Sequence, residues 1–509
     1  MTEVAALFQV SSSTIHNWIK EGLLTLDEEH HVTAQSLLEF QSQHAGKHKL
    51  HARANKLQKD KHDAIEVGRA IQKELEAKTF DDAIGNRYEA MLSESYKNKE
   101  GITYTPKTIV DDMTRDIKVD AQTLFLDPCC GSGNFLVRAI EMGVAPDHVY
   151  GFDTDPNAVA IARRRIKEMT GYDTQLVVCG DFLKEGHRLK QRFDLVFTNP
   201  PWGKKLSKKE RTAYAKRYQA GSSADTSSLF LFSILSVLKP DGIVGLLMPE
   251  SFFKIAVYED ARKAVLQKTV LQIKDYGKAF LNMYSAVSIL VKNTEPEANH
   301  QVVCSCNWNN HSRSQHSFMT MPRYNLNYWM KSNEVALLER LMQQPHLTLK
   351  GHASWGLGIV TGDNAKICKC SRRVGLKPVY RGQDILPGRL KAANLYINPD
   401  DFPRCQQLPP MWMFQATEKL VYRFISSELV FYCDTHQRYI LNSANMLVLN
   451  EDFPLTSKQL AQIMNSPLTN WLFKQLFNTH KVLKSDLELL PVFTDLSLHR
   501  RFNLLDLDR

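Results

Sequence analysis

Residues Asn199, Pro200, Pro201 and Trp202 follow directly on a mostly apolar run, residues 193–198. The run is rich in β-branched and aromatic residues, which predicts a buried strand. The strand must end at the two prolines, because proline cannot donate to a ladder and holds the backbone extended. An amide side chain, a proline carbonyl of fixed direction and a flat indole ring then stand together. Two acceptors and one stacking face suit a planar group that bears an NH₂.

A glycine turn stands upstream of this tetrapeptide. Residues 123–136 read as a strand ending at Asp127, a turn with Gly131 and Gly133, and the start of a helix. Glycine lets the backbone bend sharply and approach a ligand at the helix N-terminus. Leu136 occupies the place of the third glycine in the dinucleotide fingerprint, so the turn departs from that pattern.

Carboxylates end the next two predicted strands. Asp153 closes residues 149–153, at a spacing from the glycine turn that lets a carboxylate accept both ribose hydroxyls of a nucleoside. Asp155 is predicted to cap the helix that follows, and Asp181 ends the third strand. Strands alternating with helices predict a parallel sheet.

Together these motifs resemble the S-adenosylmethionine-dependent amino-methyltransferases, and their order resembles the TaqI-like, gamma-class N6-adenine DNA methyltransferases. The turn is similar to that family's Asp-Pro-x-Cys-Gly-Ser-Gly-x-Phe-Leu, and residues 101–106 are similar to its Tyr-Thr-Pro segment. The resemblance implies an α/β fold with a Rossmann-like seven-stranded core, and S-adenosyl-L-methionine as the cofactor. It implies that Asp181 accepts from the cofactor's adenine amine and that Phe182 flanks that ring. The cofactor-binding residues it implies are Tyr104, Thr105, Pro106, Asp127, Gly131, Gly133, Asp153, Asp181 and Phe182.

The same resemblance implies that Asn199, Pro200, Pro201 and Trp202 are catalytic. The Asn199 amide oxygen and the Pro200 carbonyl would accept the amine hydrogens of a flipped-out base, and Trp202 would stack on it. Phe280 falls near the position of a further ring against that base.

The N-terminal residues resemble the winged helix-turn-helix of MerR and excisionase-like proteins in the run from Val10 to Leu24. In that family Ser12, Ser13, His16 and Asn17 would face the major groove, and residues 27–32 would form a wing. A small helical pair that packs on the next domain or on a partner is the alternative.

The remaining segments complete the expected domain order. Residues 1–34 form the helix-turn-helix and residues 35–95 a charged helical connector of one or two long helices. Residues 96–295 form the catalytic domain, which ends in a hairpin-like pair of strands at residues 276–280 and 285–291, and residues 296–349 form a connecting segment. Residues 350–509 form an α+β target-recognition domain, on the resemblance of residues 355–364 and 481–487 to TaqI-like enzymes.

Charge and composition point to a polyanionic partner. The formal net charge is +9, and cations cluster after the tetrapeptide, where Lys204, Lys205 and Lys208 are predicted to contact DNA phosphates. No apolar run of about 18 residues and no signal-peptide pattern are found, so a cytoplasmic protein of the bacterial cytosol or nucleoid is expected, with no membrane. The nine cysteines form neither a disulfide framework nor a common zinc spacing, and no metal is expected.

The expected function is therefore a site-specific adenine-N6 methyltransferase acting on double-stranded DNA, solitary or part of a restriction-modification system. RNA and protein-glutamine methyltransferases share the tetrapeptide and stay as alternatives, as does a helix-turn-helix regulator with an idle core. The sequence leaves open the recognition site, a separate restriction endonuclease as partner, and the oligomeric state.

Overall fold

The structure is a computed structural model that describes residues 4, 15–16, 18–19, 24–27, 30–44, 64–77, 80–189, 191–277, 285–306 and 309–502. The chain divides into two compact units. The first comprises residues 1–248 and 288–294, and the second residues 249–287 and 295–509. The division into five domains stays a prediction.

The N-terminal part of the first unit has a small apolar core, formed by Ile15, Trp18, Leu24 and Phe40. Residues 26 and 32 form an antiparallel bridge where the wing is predicted. His16 is exposed, whereas Ser12, Ser13 and Asn17 lie outside the described residues. The helix-turn-helix stays a prediction.

The described part of the connector contains shorter helices than the one or two long helices predicted. Beyond residue 75 the helix ends, and two short helices follow instead of one long one. The Asp81 carboxylate accepts the N–H of Ala83 at 3.0 Å, a local turn just before the next helix, whose N-cap is Ala83. The first unit contains helices α1 (Ala34–His44), α2 (64–75), α3 (Ile84–Met91), α4 (Glu94–Glu100), α5 (Lys107–Thr114), α6 (Asn134–Met142), α7 (Pro156–Thr170), α8 (Phe182–Glu185), α9 (Lys208–Tyr218) and α10 (Thr226–Val237).

A mostly parallel sheet forms the centre of the first unit. Its strands are β1 (Phe125–Asp127), β2 (Val149–Asp153), β3 (Val177–Cys179), β4 (Phe193–Thr198), β5 (Leu238–Pro249) and β7 (Ala286–Lys292), in the order β3-β2-β1-β4-β5-β7. Strands β1 to β5 pair in parallel, with Leu126 between Tyr150 of β2 and Val196 of β4. β4 is buried along its length apart from Asp194, because helices cover both faces of such a sheet. The predicted α/β methyltransferase fold class is confirmed.

The parallel arrangement brings the carboxyl ends of β1, β2, β3 and β4 to one edge of the sheet. The order of the strands reverses at β1, between β2 and β4, and such a point is where open α/β sheets bind ligands. Asp127, Asp153, Asp181 and Asn199 therefore stand at or just beyond one edge.

In the second unit, β6 (Thr269–Asp275), β8 (Gln301–Cys306) and β9 (Asn309–Ser314) are adjacent strands. The first strand of the predicted hairpin-like pair lies earlier than predicted, since β6 ends at Asp275. Tyr276 and Gly277 still pair with Ala286 through backbone hydrogen bonds of 2.9 and 3.1 Å, and residues 278–280 lie outside the described residues. The Asp275 carboxylate accepts the N–H of Gly277 at 2.7 Å, which makes a local turn at the end of β6. The predicted connecting segment is itself structured, since β8 and β9 lie within it.

The C-terminal part of the second unit is α+β. Its strands are β10 (Ala353–Leu357), β11 (Lys377–Tyr380), β12 (Ile385–Leu386), β13 (Arg389–Leu390), β14 (Tyr396–Ile397), β15 (Lys419–Arg423), β16 (Phe431–Asp434), β17 (Tyr439–Ile440) and β18 (Ala444–Leu449). They form a four-stranded antiparallel sheet in the order β10-β18-β15-β16, a three-stranded sheet in the order β14-β11-β17, and the hairpin β12-β13. The unit's helices are α11 (Glu259–Leu266), α12 (Gln315–Met319), α13 (Ser332–Met342), α14 (Asn364–Ile367), α15 (Met411–Gln415), α16 (Ser457–Met464), α17 (Pro467–Leu476), α18 (Lys484–Leu487) and α19 (Leu496–Arg501).

Among the helices that the structure describes, none combines the length and the apolar character needed to cross a membrane.

Candidate active site

A cavity of about 520 Å³ opens at the carboxyl edge of the sheet, within the first unit. It brings together predicted site residues from five separate segments. Those that line it are Tyr104, Gly131, Asp153, Asp181, Phe182, Asn199, Pro201 and Lys204. A cleft of this size, with convergent polar groups on a partly apolar wall, is typical of a small-molecule site.

Asn199 has a fixed side chain with one free acceptor. Its Nδ2 donates to the carbonyl of Thr103 at 2.9 Å, which sets the orientation of the amide. Its Oδ1 is buried and accepts no hydrogen bond from the described residues. A buried acceptor without a hydrogen bond costs free energy, so this oxygen can accept a hydrogen bond from a donor group of a ligand.

The backbone of the tetrapeptide rests against Gly101. A Cβ added at Gly101 would lie 3.0 Å from Cβ of Pro201 and 3.1 Å from the Trp202 carbonyl oxygen, so glycine allows this close approach. Pro200 is buried, and the indole Nε1 of Trp202 donates to the carbonyl of Leu247 on β5 at 3.2 Å. The position of the loop is thus set from two sides.

The glycine turn packs closely on two neighbours. Gly131 has φ +49°, and an added Cβ would lie 2.9 Å from Cε1 of Tyr104, so the phenol ring lies on the turn itself. Gly133 has φ +89°, and its added Cβ would lie 2.9 Å from Cβ of Ala162 on α7. The first glycine therefore permits a ring contact in the cavity, and the second permits helix packing.

Arg165 stabilises the glycine turn through hydrogen bonds. Its Nη1 donates to the carbonyl of Ser132 at 2.9 Å and to Oδ1 of Asn134 at 2.8 Å. Its Nε and Nη2 donate to the two carboxylate oxygens of Asp82. Asn134 in turn donates through Nδ2 to the carbonyl of Thr105 at 2.8 Å, which joins the Tyr-Thr-Pro segment to the glycine turn.

Asp153 lines the cavity, and its carboxylate oxygens have lone pairs that accept no hydrogen bond from the described residues. Its Oδ2 accepts the N–H of Gly131 at 2.8 Å and its Oδ1 that of Asp155 at 2.9 Å, which leaves further lone pairs on each oxygen. Burial raises the pKa of this carboxyl group. Asp155 caps α7, as predicted, by accepting the N–H of Asn157, and it also accepts the hydroxyl of Tyr88 at 2.6 Å.

Asp181 and Phe182 follow β3. Asp181 caps the short helix α8 through the N–H of Leu183 at 3.0 Å, and its other oxygen accepts the hydroxyl of Tyr214 at 3.4 Å. The ring of Phe182 packs between Phe152 and Phe230, with centroids at 5.4 and 6.4 Å. A carboxylate beside a rigid aromatic wall suits a planar group that carries an amine.

Asp127 lies deeper than the other carboxylates. It is 1% exposed, lines a small pocket of about 20 Å³ beside Asn199, and accepts the N–H of Cys129 at 3.0 Å. Burial raises its pKa from 3.8 to about 7. Its protonation therefore changes within the neutral pH range.

This shift predicts how stability depends on pH. Between the unfolded pKa of about 3.9 and the folded pKa, the folded chain binds more protons, so the free energy of unfolding falls as pH rises from about 4 to about 7. Asp127→Asn keeps the acceptor for Cys129 but cannot ionise, so it removes this component. Urea unfolding of both proteins across that range measures it. The stability of the variant relative to the wild type should rise with pH and level off above 7, whereas a constant difference would contradict the shift.

The remaining predicted residues are placed less centrally. Lys204 forms an ion pair with Glu100 at 3.2 Å, while Lys205 and Lys208 are exposed. Thr105 lines the small pocket, and Pro106 occupies the position before α5. Phe280 lies outside the described residues.

Several cavity residues were missed by sequence reasoning. They come from the connector, from residues 96–103 that follow it and from α10. They include Ala64, Ile65, Tyr88, Tyr96, Glu100, Gly101, Ile102, Thr103, Thr226 and Phe230. Residues 101–103 stand directly before the Tyr-Thr-Pro turn, and Tyr88 and Tyr96 lie close to it along the chain, which is the signal that could have indicated them.

Within the described part of the chain, no group of three or more His, Cys, Asp or Glu side chains could hold a metal ion.

Comparisons with known proteins agree with this geometry. The Type II methyltransferase M.VspI of Vibrio sp. (strain 343) is 39% identical over 386 residues, which cover 75% of this chain and 95% of that protein. The modification methylase CviBIII of Paramecium bursaria Chlorella virus NC1A is 24% identical over 212 residues, about half of its own length. The Type IIL restriction-modification enzyme MmeI, solved in complex with DNA, shares the fold with a TM-score of 0.54 at 10% identity, over 81% of this chain and 71% of that one.

Two family models match separate parts of the chain. One, described as N-6 DNA Methylase, matches residues 79–334, which is half of the chain. The other, described as a TaqI-like C-terminal specificity domain, matches residues 377–492. With its glycine turn, its carboxylates and Asn199 at one sheet edge, the chain belongs to the N-6 DNA methylase family and carries a TaqI-like specificity domain.

Proposed function

We propose that this protein transfers a methyl group from S-adenosylmethionine to the N6 amine of adenine at specific sites in double-stranded DNA. The observation that carries the proposal is the buried, unpaired Oδ1 of Asn199 at the cavity. An amine bound there would supply the missing donor. The family membership and the similarity to M.VspI support DNA as the substrate.

The residues of the cavity fit the cofactor. Asp153 offers free lone pairs for ribose hydroxyls, and Asp181 with Phe182 offers an acceptor and an aromatic wall for adenine. Gly131 and Tyr104 pack against each other and line the same cavity. When bound, S-adenosylmethionine supplies an activated methyl group on a sulfonium.

The chain's own residues position and polarise the amine. Its lone pair is delocalised into the ring, so it is a poor nucleophile until its hydrogens are engaged. Oδ1 of Asn199 accepts one hydrogen and the carbonyl of Pro200 the other, which localises the lone pair on nitrogen. The Thr103 carbonyl orients the Asn199 amide, and Gly101 packs against Pro201 and Trp202 just after Pro200, so the effect rests on preorganisation.

An amine inside a duplex is out of reach of such a cavity, so the base must leave the stack. Trp202, fixed by its hydrogen bond to β5, supplies a flat face for it. Stacking on an aromatic ring is worth about 1–3 kcal/mol per base.

The test is transfer of labelled methyl from S-adenosylmethionine to duplex DNA, to RNA and to total protein. We expect label in DNA that digests to the N6-methylated adenine nucleoside. Label in cytosine would overturn the adenine assignment, and label in RNA or protein alone would overturn DNA as the substrate. Cofactor binding without transfer to any of them would favour an idle core.

A further inference from the structure

A basic loop projects from the three-stranded sheet of the second unit. Residues 369–375 are all exposed, and they connect a bridge at Lys369 to strand β11. Lys369 and Tyr396 exchange backbone hydrogen bonds of 2.8 Å on one side, and Pro378 pairs with Tyr396 on the other. The loop, here defined as residues 369–377, thus has a fixed base and an exposed tip.

The loop carries cations with no acidic partners. Between residues 363 and 377 the sequence has five Lys or Arg and a single carboxylate, Asp363, which accepts the backbone N–H groups of Ala365 and Lys366. Arg372, Arg373 and Lys377 make no ion pair or side-chain hydrogen bond with any residue that the structure describes. Two other arginines of this unit do pair, Arg381 with Asp384 and Arg404 with Asp401, whereas the exposed Arg340 pairs with no residue that the structure describes.

An apolar side chain stands at the tip. Val374 is 105% exposed, the most exposed of the large hydrophobic residues described. It follows Arg372 and Arg373 directly, and a turn from the Arg373 carbonyl to the N–H of Leu376 at 3.2 Å bends the backbone here. Unpaired guanidinium groups and a bare aliphatic group together match the edge of a base pair, where guanine offers two acceptors and thymine a methyl group.

We propose that this loop enters a groove of the DNA and contributes to the choice of the methylated sequence. Arg372 and Arg373 at the tip read base edges, and Val374 contacts a thymine methyl. Lys369 and Lys377, at the base, contact phosphates. The inference rests on DNA being the substrate, and it names the residues that recognise it.

The test uses the full-length protein and a library of random-sequence DNA duplexes, from which bound sequences are selected and read. The variants are Arg372→Gln with Arg373→Gln, Val374→Ala, and Lys369→Gln with Lys377→Gln. Arg340→Gln, an exposed arginine on α13, is the matched control. Melting temperature and cofactor affinity are measured for each, and both should equal those of the wild type.

We expect the arginine variants to lose discrimination by roughly 5- to 150-fold at the positions they read. Val374→Ala should lose a preference for thymine. The lysine variants should weaken binding to all duplexes evenly and lower the salt dependence by about one unit per lost contact. An unchanged selected sequence in the arginine variants, with affinity equal to that of Arg340→Gln, would overturn the proposal. Absence of methyl transfer by the wild type would instead overturn the proposed function, and duplex selection would still test the loop.

Discussion

Replacing Asn199 by alanine should lower the rate of methyl transfer to DNA by about 10²- to 10³-fold, the loss typical of removing one preorganised polar group. The substitution removes the unpaired Oδ1 at the cavity. It also removes the Nδ2 donor to Thr103, so a small loss of stability is expected, about 0.5–1.5 kcal/mol. Single-turnover transfer of labelled methyl measures the rate, and calorimetry measures cofactor affinity, which should stay unchanged.

The matched control is Asn86→Ala, which removes an exposed asparagine of α3 in the same unit. It should leave the rate unchanged. Asn199→Asp adds a second test, because it keeps an acceptor but sets a carboxylate oxygen against the Thr103 carbonyl. We expect its rate to lie between those of the alanine variant and the wild type. If Asn199→Ala kept the wild-type rate, the amide would have no part in activating the amine.

Replacing Gly131 by alanine should weaken cofactor binding by about tenfold or more, equivalent to at least about 1.4 kcal/mol. The new Cβ would lie 2.9 Å from the Tyr104 ring, so either the ring or the turn must move. The positive φ of +49° adds a strain of about 1–2 kcal/mol in the folded chain. Calorimetric titration with S-adenosylmethionine measures the affinity.

Gly171→Ala separates the two effects. Gly171 ends α7 with φ +76°, and an added Cβ there would have no atom within 4 Å. It should lower the melting temperature by a similar amount but leave cofactor affinity unchanged. Equal losses of affinity in both variants would mean that general destabilisation, not the contact with Tyr104, is responsible.

Much of the site was predictable because its motifs are local. Gly131 and Gly133 predict a turn with positive φ angles, which glycine adopts easily, and the two prolines predict the end of β4. The carboxyl ends of parallel strands lie at one edge of the sheet, so the sequence alone predicts that Asp153 and Asn199 lie close together. The prediction for Asp155 as a helix cap was confirmed for the same reason, since a cap depends on neighbours along the chain.

The predictions that failed concern places where local signals compete. The charged connector has helical composition throughout, but the Asp81 carboxylate bonds to the N–H of Ala83 just before α3, at a break that periodicity alone did not show. The strand expected at residues 276–280 has aromatic residues at both ends, yet β6 ends at Asp275, whose carboxylate accepts the N–H of Gly277. Only the bonds of Tyr276 and Gly277 to Ala286 continue the pairing there. In both cases a short polar side chain bonds to the backbone at the boundary of an element.

The fold class, the glycine turn at the cavity and the amide that follows β4 could all be read from the sequence, because each leaves a local pattern of residues. The contacts that hold that amide in place are visible only in the tertiary structure. Thr103 lies 96 residues away from Asn199 along the chain, and Gly101 meets Pro201 across a similar separation. The tertiary structure also shows that Tyr88 bonds to Asp155 and that Ala64 and Ile65 of α2 line the cavity. Such contacts arise when packed helices bring distant segments together, and no spacing along the chain records them.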